Sequence, residues 1–302
     1  MLRDKRAKMM RLIAALLLGA AIAATASAQG RGGPRGGGQR GGSVEHAVVH
    51  GRALEGNSEG DSPDRNVTVY LPPAYAGDPE RRFPVIYFLH DYEAHSDDAI
   101  GEIKDSADRL AAVQGYSEPI VVTPDASTLH RSSMYSNSAA TGDWERFIAE
   151  DLVGYIDAHY RTLAKPISRG LAGQSMGGYG ALRIGMRRPD VFSSLYLMSA
   201  CCLAADNSMA DAANAPLAVL ERNASNLKKY YGIVIEIGTR DAVLAPNRQL
   251  HDALALLRIP HRYEEFDGDL AGSLRERIER HLLPFFSKNL AAPANPTSPG
   301  VR

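Results

Sequence analysis

Ser175 stands in Gly173-Gln174-Ser175-Met176-Gly177, after the short apolar stretch Leu171-Ala172 and before Gly178, Gly180, Ala181 and Leu182. A bare Gly-x-Ser-x-Gly in a chain with 28 glycines could be an ordinary loop. A strand before it and a helix after it make it the turn that lifts a serine hydroxyl clear of a sheet edge, facing the positive end of the helix. Such a hydroxyl attacks carbonyl carbon only when a base takes its proton and a carboxylate holds that base's tautomer. In this chain order the carboxylate follows the serine. Asp241 fits, in Gly238-Thr239-Arg240-Asp241 after the apolar residues 233–237. The plain alternative for Asp241 is a loop aspartate paired with Arg240.

These groups need a scaffold, and strand and helix signals alternate from residue 44 to residue 290. Residues 44–50 and 66–71 alternate apolar and polar and predict an antiparallel opening pair. Residues 84–90 and 119–123 are nearly all apolar, as strands covered on both faces should be. A helix is expected over 98–113, and a second through Trp144, Phe147, Ile148, Leu152, Tyr155 and Ile156. Strands are then expected over 191–198, 233–237 and 263–266, and helices over 243–257 and 273–286. The alternation predicts an α/β fold: a mainly parallel central sheet, helices on both faces, and ligands beyond the carboxyl ends of the strands. Ser175, His90 and Asp241 all fall at such ends.

The flanking segments read differently. Arg3, Lys5, Arg6, Lys8 and Arg11 precede an apolar run over 12–24 that closes on Ala26-Ser27-Ala28. That order describes an export signal cleaved after Ala28, short for a membrane span; an uncleaved anchor is the alternative. Residues 29–43 are rich in Gly and Arg and are expected to be a flexible arm, and 291–302 a loose tail. Cleavage would take five basic residues and one acidic residue from totals of 34 and 35, leaving 29 against 34. A mildly acidic protein, secreted or periplasmic, without a basic stripe or stable membrane insertion, is expected, and nucleic acid is not its partner. Cys201 and Cys202 are adjacent and can close no loop, so free thiols are expected, with a vicinal disulfide the alternative. No metal or cofactor motif is present.

Taken together, Val69-Tyr-Leu-Pro-Pro-Ala-Tyr75, Pro84-Val-Ile-Tyr-Phe-Leu-His90, Met134-Tyr-Ser-Asn-Ser138, the elbow through Leu182, Gly238-Thr-Arg-Asp241 and the stretch 261–286 resemble the bacterial putative-esterase family. That family belongs to the α/β-hydrolase superfamily and is related to feruloyl esterases, S-formylglutathione hydrolases and mycolyltransferases. The resemblance implies an α/β-hydrolase fold, Ser175 as nucleophile and Asp241 as acid. It also implies an oxyanion hole from the Met176 amide and the loop after His90, that is Asp91 and Tyr92. Substrate contacts are expected from His90, Gln174, Tyr135 and Asn137.

Two positions depart from the pattern. The loop after the third strand usually runs His-Gly and here runs His90-Asp91. The Asp91 carboxylate either lies where an oxyanion would develop, opposing it, or points to water and leaves the amide in place. The catalytic histidine usually sits in a Gly-x-His turn before the last helix. The turn here is Asp267-Gly268-Asp269-Leu270-Ala271, which puts Leu270 at the matching position. A leucine accepts no proton. Among the histidines, His46, His50, His159, His251, His261 and His281 read as structural or distant, and His90 shapes the oxyanion loop. His95 and His130 are in loops that could overhang the site. His130 is the best substitute base, because its segment runs into Ser132-Ser-Met-Tyr-Ser-Asn137. Three readings remain: a secreted serine carboxylesterase of reduced rate on a small ester or acylated carbohydrate, an inactive hydrolase fold that binds a sugar or acyl ligand, and acyl transfer. Leu270→His is expected to raise ester hydrolysis about a hundredfold or more by supplying the base.

Overall fold

The structure, a computed structural model, describes residues 41–129, 131–204, 215–270, 272 and 274–290. Its centre is an eight-stranded sheet: β1 Ser43–His50, β2 Asp64–Leu71, β3 Val85–Leu89, β4 Ile120–Pro124, β5 Arg169–Gln174, β6 Ser194–Met198, β7 Gly232–Gly238 and β8 Arg262–Phe266. Their spatial order is β1-β2-β4-β3-β5-β6-β7-β8. β1 and β2 pair antiparallel, Ser43 opposite Leu71 and His50 opposite Asp64, and β2 meets β4 antiparallel. Every other neighbour is parallel. The α/β-hydrolase fold expected from the sequence, with its antiparallel N-terminal pair, is therefore present.

Five longer helices flank the sheet: α1 Ile100–Leu110, α2 residues 144–159, α3 Met176–Arg187, α4 Leu244–Leu256 and α5 residues 274–289. The two-residue period of the strands sorts them. Val85, Tyr87 and Leu89 of β3 pack with Trp144, Phe147 and Ile148 of α2, Leu182 of α3 and Leu250 of α4. Ile86 and Phe88 point the other way, into a cluster with Ile103 of α1 and Ile278, Leu282 and Phe286 of α5. Residues of β3 to β7 are buried on both faces, which is why those strands read as unbroken apolar runs.

The chain joins this body earlier than the composition suggests. Gly42 already donates its N–H to Asp108 Oδ1 at 2.7 Å, and β1 opens at Ser43. Residues 1–40 and 291–302, and with them the expected export signal, most of the arm and the tail, lie outside the described residues. α5 differs from a regular helix by a π-helical turn over Ile278–Leu282, directly ahead of Pro284, which has no N–H to donate back along the helix. Among the described residues no helix is long and apolar enough to cross a membrane.

Candidate active site

Ser175 joins β5 to α3 with φ 50° and ψ −109°, a conformation that costs a non-glycine residue about 1–3 kcal/mol. Neighbouring backbone fixes it from three sides. Its N–H donates to Met198 O of β6 at 2.8 Å, and its carbonyl accepts the N–H of Tyr179 at 3.0 Å and of Cys201 at 3.1 Å. The flanking glycines are sterically required. A Cβ on Gly173 would lie 2.2 Å from the Gly177 carbonyl carbon, and one on Gly177 would lie 1.9 Å from Leu89 O. β3, β5 and α3 therefore meet with no room between them, which is the tight turn the motif predicts.

The amides that the resemblance implies as oxyanion donors meet a side chain of the protein itself. Asp91 Oδ1 accepts the Tyr92 N–H at 2.6 Å and the Met176 N–H at 3.4 Å. Two backbone donors, one from the first residue of α3 and one from the loop after β3, thus converge on one oxygen, an arrangement of the kind that stabilises an oxyanion. The oxygen they hold belongs to Asp91. Of the two expectations for this side chain, the structure turns the carboxylate toward the Met176 and Tyr92 amides, the pair that the resemblance implies as donors, and not to water.

His90 holds this loop in place. Its Nδ1 lies 2.7 Å from Asp91 O, and its Nε2 accepts the Ala126 N–H at 2.8 Å, which fixes a neutral ring protonated at Nδ1. Burial pushes its pKa below the usual 6.5, opposed by the bond to Asp91. Tyr135 donates its hydroxyl to His90 O at 3.3 Å and is fully buried. His90 and Tyr135, expected to touch substrate, instead brace the oxyanion loop, because both are buried and their polar atoms are spent on backbone. Asn137 is exposed and donates to Asp143 at 3.1 Å across the small Asn137–Ser138/Gly142–Asp143 hairpin. No described contact joins it to Ser175.

On the other side, Thr239 N and Arg240 N donate to Phe266 O and Gly268 O at 2.8 Å each, locking the end of β7 to the turn after β8. Gln174, next to the serine, donates to Leu270 O at 3.3 Å. The turn that should carry a base therefore does reach the elbow, and it presents Leu270. Asp241 is not paired with Arg240, whose partner is Asp267. Asp241 Oδ1 accepts the Val243 N–H at 3.2 Å, and its Oδ2 is buried without a partner among the described residues. An imidazole at 270 would be the natural group to meet such an oxygen.

No described histidine has a recorded hydrogen bond to Ser175. His46 and His50 face Asp97, Asp64 and Glu55; His95 faces Asp125; His251 bonds His261 at 2.8 Å; His281 faces Glu264. His159 bonds Tyr155 O. His130 lies outside the described residues. Sequence reasoning missed one neighbour of the nucleophile: Cys201, whose N–H donates to Ser175 O at 3.1 Å. Its signal was positional, since it follows the end of β6 on the same rim. Both cysteines are free, their sulfurs 2.7 Å apart, and the bond to Cys202 together with burial pushes the Cys201 thiol far up.

Residues 205–214, after the end of β6, lie outside the described residues. In the stretch that follows, Asn226 packs on α3 and donates to Met186 O at 3.0 Å. Among the described residues no cluster of three His, Cys, Asp or Glu side chains could hold a metal ion.

Comparison with known proteins agrees with this architecture. An esterase of Mycobacterium tuberculosis, Rv1288, is 33% identical over 137 residues, which is 42% of this chain and 27% of that protein. An endo-1,4-beta-xylanase/feruloyl esterase of Xylanibacter ruminicola is 28% identical over 148 residues, 47% of this chain and 20% of that one. The chain thus matches only about a quarter of the length of these relatives. Among solved structures, a ferulic acid esterase superposes with TM-score 0.72 at 24% identity, covering 82% of this chain and 98% of the other. An S-formylglutathione hydrolase from Agrobacterium tumefaciens gives 0.64 at 19%, covering 83% and 97%. At those identities the likeness shows the fold. Residues 58–273 match the family described as "Putative esterase", most of the folded body with Ser175, Asp91, Asp241 and Leu270 inside it, and the chain belongs to that family.

Proposed function

We propose that the protein is a serine carboxylesterase of low turnover, acting on a small ester or an acylated carbohydrate with Ser175 as nucleophile. One observation carries this reading: the Met176 and Tyr92 amides converge on a single oxygen beside a serine held at positive φ. Such donors have work to do when a carbonyl oxygen becomes negative. In the reaction Ser175 Oγ attacks the ester carbon, the carbonyl oxygen takes the place of Asp91 Oδ1, and the alcohol leaves before water releases the acid. Without an imidazole the serine proton passes to solvent. Loss of the base costs about 10⁶ in turnover, while the hole and binding keep about 10³–10⁴ over water. The relatives that act on feruloyl esters favour an aromatic or short acyl group on a sugar. Residues 1–28 are proposed as an export signal, so that the enzyme works outside the cytoplasm.

A second reading, a ligand-binding module without turnover, is favoured by Asp91 in the hole and Leu270 at the position of the base. Labelling with a fluorophosphonate probe separates the two. Slow covalent labelling of Ser175, absent in Ser175→Ala, supports the hydrolase. No labelling after prolonged exposure, with no ester hydrolysis above the Ser175→Ala level, establishes the binding module instead.

A further inference from the structure

The oxyanion position holds a carboxylate, and that carboxylate lacks a cation. Asp91 uses only Oδ1 in its described hydrogen bonds. Nor does it take part in any ion pair among the described residues, although carboxylates around it do. Glu93, two residues on, is held by Arg131 at 3.0 Å, Asp125 by Arg65 at 3.8 Å, and Asp267 by Arg240. On the same rim Asp241 Oδ2 is buried with no partner, and the position that would bring an imidazole is Leu270. Among the described residues the site thus carries acceptors on two sides of Ser175 and no cation paired with Asp91. A neutral ester must compete with Asp91 for the Met176 and Tyr92 amides and gains nothing from its displacement.

We propose that Asp91 is a specificity-determining residue that selects ligands carrying an ammonium group a few atoms from the ester carbonyl. This rests on the esterase reading for its chemistry, but it is a statement about binding that stands apart from turnover. An ammonium group drawn to the Asp91 carboxylate turns it away from the amide pair and leaves both N–H groups to the ligand's carbonyl oxygen. The charge displaced from the hole is then neutralised by the ligand that displaces it. A ligand without the cation leaves the carboxylate in the hole, and a ligand with an anion is repelled. The Ser175 hydroxyl and Cys201 thiol complete the wall of the site with uncharged groups.

The test uses two thioesters of the same shape, acetylthiocholine and its uncharged isostere 3,3-dimethylbutyl thioacetate. Their dissociation constants are measured by calorimetry on the full chain carrying Ser175→Ala, where no acyl enzyme can form. A single charge pair in a partly screened site is expected to favour the cation about tenfold. Asp91→Asn keeps a side-chain oxygen for the two amides and removes the charge, so there the ratio is expected to fall to about one, with the thermal midpoint showing the fold retained. Equal affinities in the Asp91 protein, or a cation preference that survives Asp91→Asn, overturn the proposal. Release of thiol from both esters by the protein with Ser175 is measured in parallel. A cation preference in binding without any hydrolysis leaves the specificity assignment standing and removes the esterase reading; hydrolysis of both esters without a preference does the reverse.

Discussion

At the scale of single residues, two side chains bear on the proposed hydrolysis, and on the same transition state. In that reading Leu270 leaves the serine without a base, and Asp91 competes with the developing oxyanion. From the sequence alone Leu270→His should restore turnover. With Asp91 Oδ1 held by both hole amides, the imidazole would activate a serine whose tetrahedral product still meets a carboxylate. Leu270→His alone is therefore expected to raise kcat/KM for p-nitrophenyl acetate by less than about tenfold, and Asp91→Gly with Leu270→His by about a hundredfold or more, well beyond the product of the single changes. Additive single effects would show that Asp91 already leaves the hole freely. Cys201 gives a second prediction at this scale. Its thiol is pushed far up by Cys202 and by burial, so native protein at pH 8 should react with iodoacetamide many times slower than the unfolded chain. Equal rates would mean that the sulfur is exposed and ionised.

At the scale of elements, the elbow shows how packing overrides propensity. Alanine is about 1 kcal/mol better than glycine inside a helix, so propensity favours Gly177→Ala. A Cβ there would meet Leu89 O at 1.9 Å and His90 O at 2.8 Å, both main-chain atoms that cannot turn aside. The change is expected to cost about 2–3 kcal/mol in a urea titration, the overpacking cost exceeding the propensity gain; a gain in stability would mean that α3 and β3 sit farther apart. The loop after β3 adds a pH dependence. His90 is kept neutral by burial, so the unfolded chain binds the proton more readily below the usual 6.5. Its contribution to stability is whole above that value and falls as the pH drops below it. Exposed His50, raised by Glu55 and Asp64, contributes in the opposite sense. Comparing His90→Asn with the parent isolates the first: the parent's urea midpoint should drop more steeply from pH 7 to pH 5. The strands and the elbow were legible because burial on both faces writes itself as apolar runs, and a tight turn as glycines. The filled hole was not. Whether Asp91 turns inward depends on a rotamer held by the amide of its neighbour Tyr92 and by that of Met176, far off in the chain, and no local pattern records the second. Tyr135 and His90, expected as substrate contacts, spend their polar atoms on backbone, and a polar residue near a strand end reads alike in either role.

At the scale of the whole molecule, the two helical layers meet the sheet in different ways, and one buried network ties the last helix to the strands beneath the site. Arg277 of α5 donates from Nε to Glu236 Oε1 of β7 at 2.7 Å and from Nη2 to Ser199 Oγ at 3.1 Å, while Tyr196 of β6 donates to Glu236 Oε2 at 2.5 Å. Glu236 and Arg277 are 2% and 3% exposed. Taking such a pair from water costs nearly what its attraction returns, so its removal as a pair is cheap while breaking it is not. Glu236→Gln leaves a buried guanidinium without its carboxylate and is expected to cost about 3–5 kcal/mol, whereas Glu236→Met with Arg277→Met should cost far less. The chain's one tryptophan, Trp144, lies on α2 in the opposite layer and reports on a region the substitution does not touch. Because the strands of β3 to β7 are buried on both faces, loss of α5 exposes the sheet that α2 and α3 need. The Trp144 fluorescence and far-UV circular dichroism transitions of Glu236→Gln should therefore move together to lower urea as one cooperative step. A tryptophan transition that stayed at the parent midpoint would show the layers unfolding separately, and the turn bearing Leu270 would then be free to leave Ser175 while the rest of the fold remained.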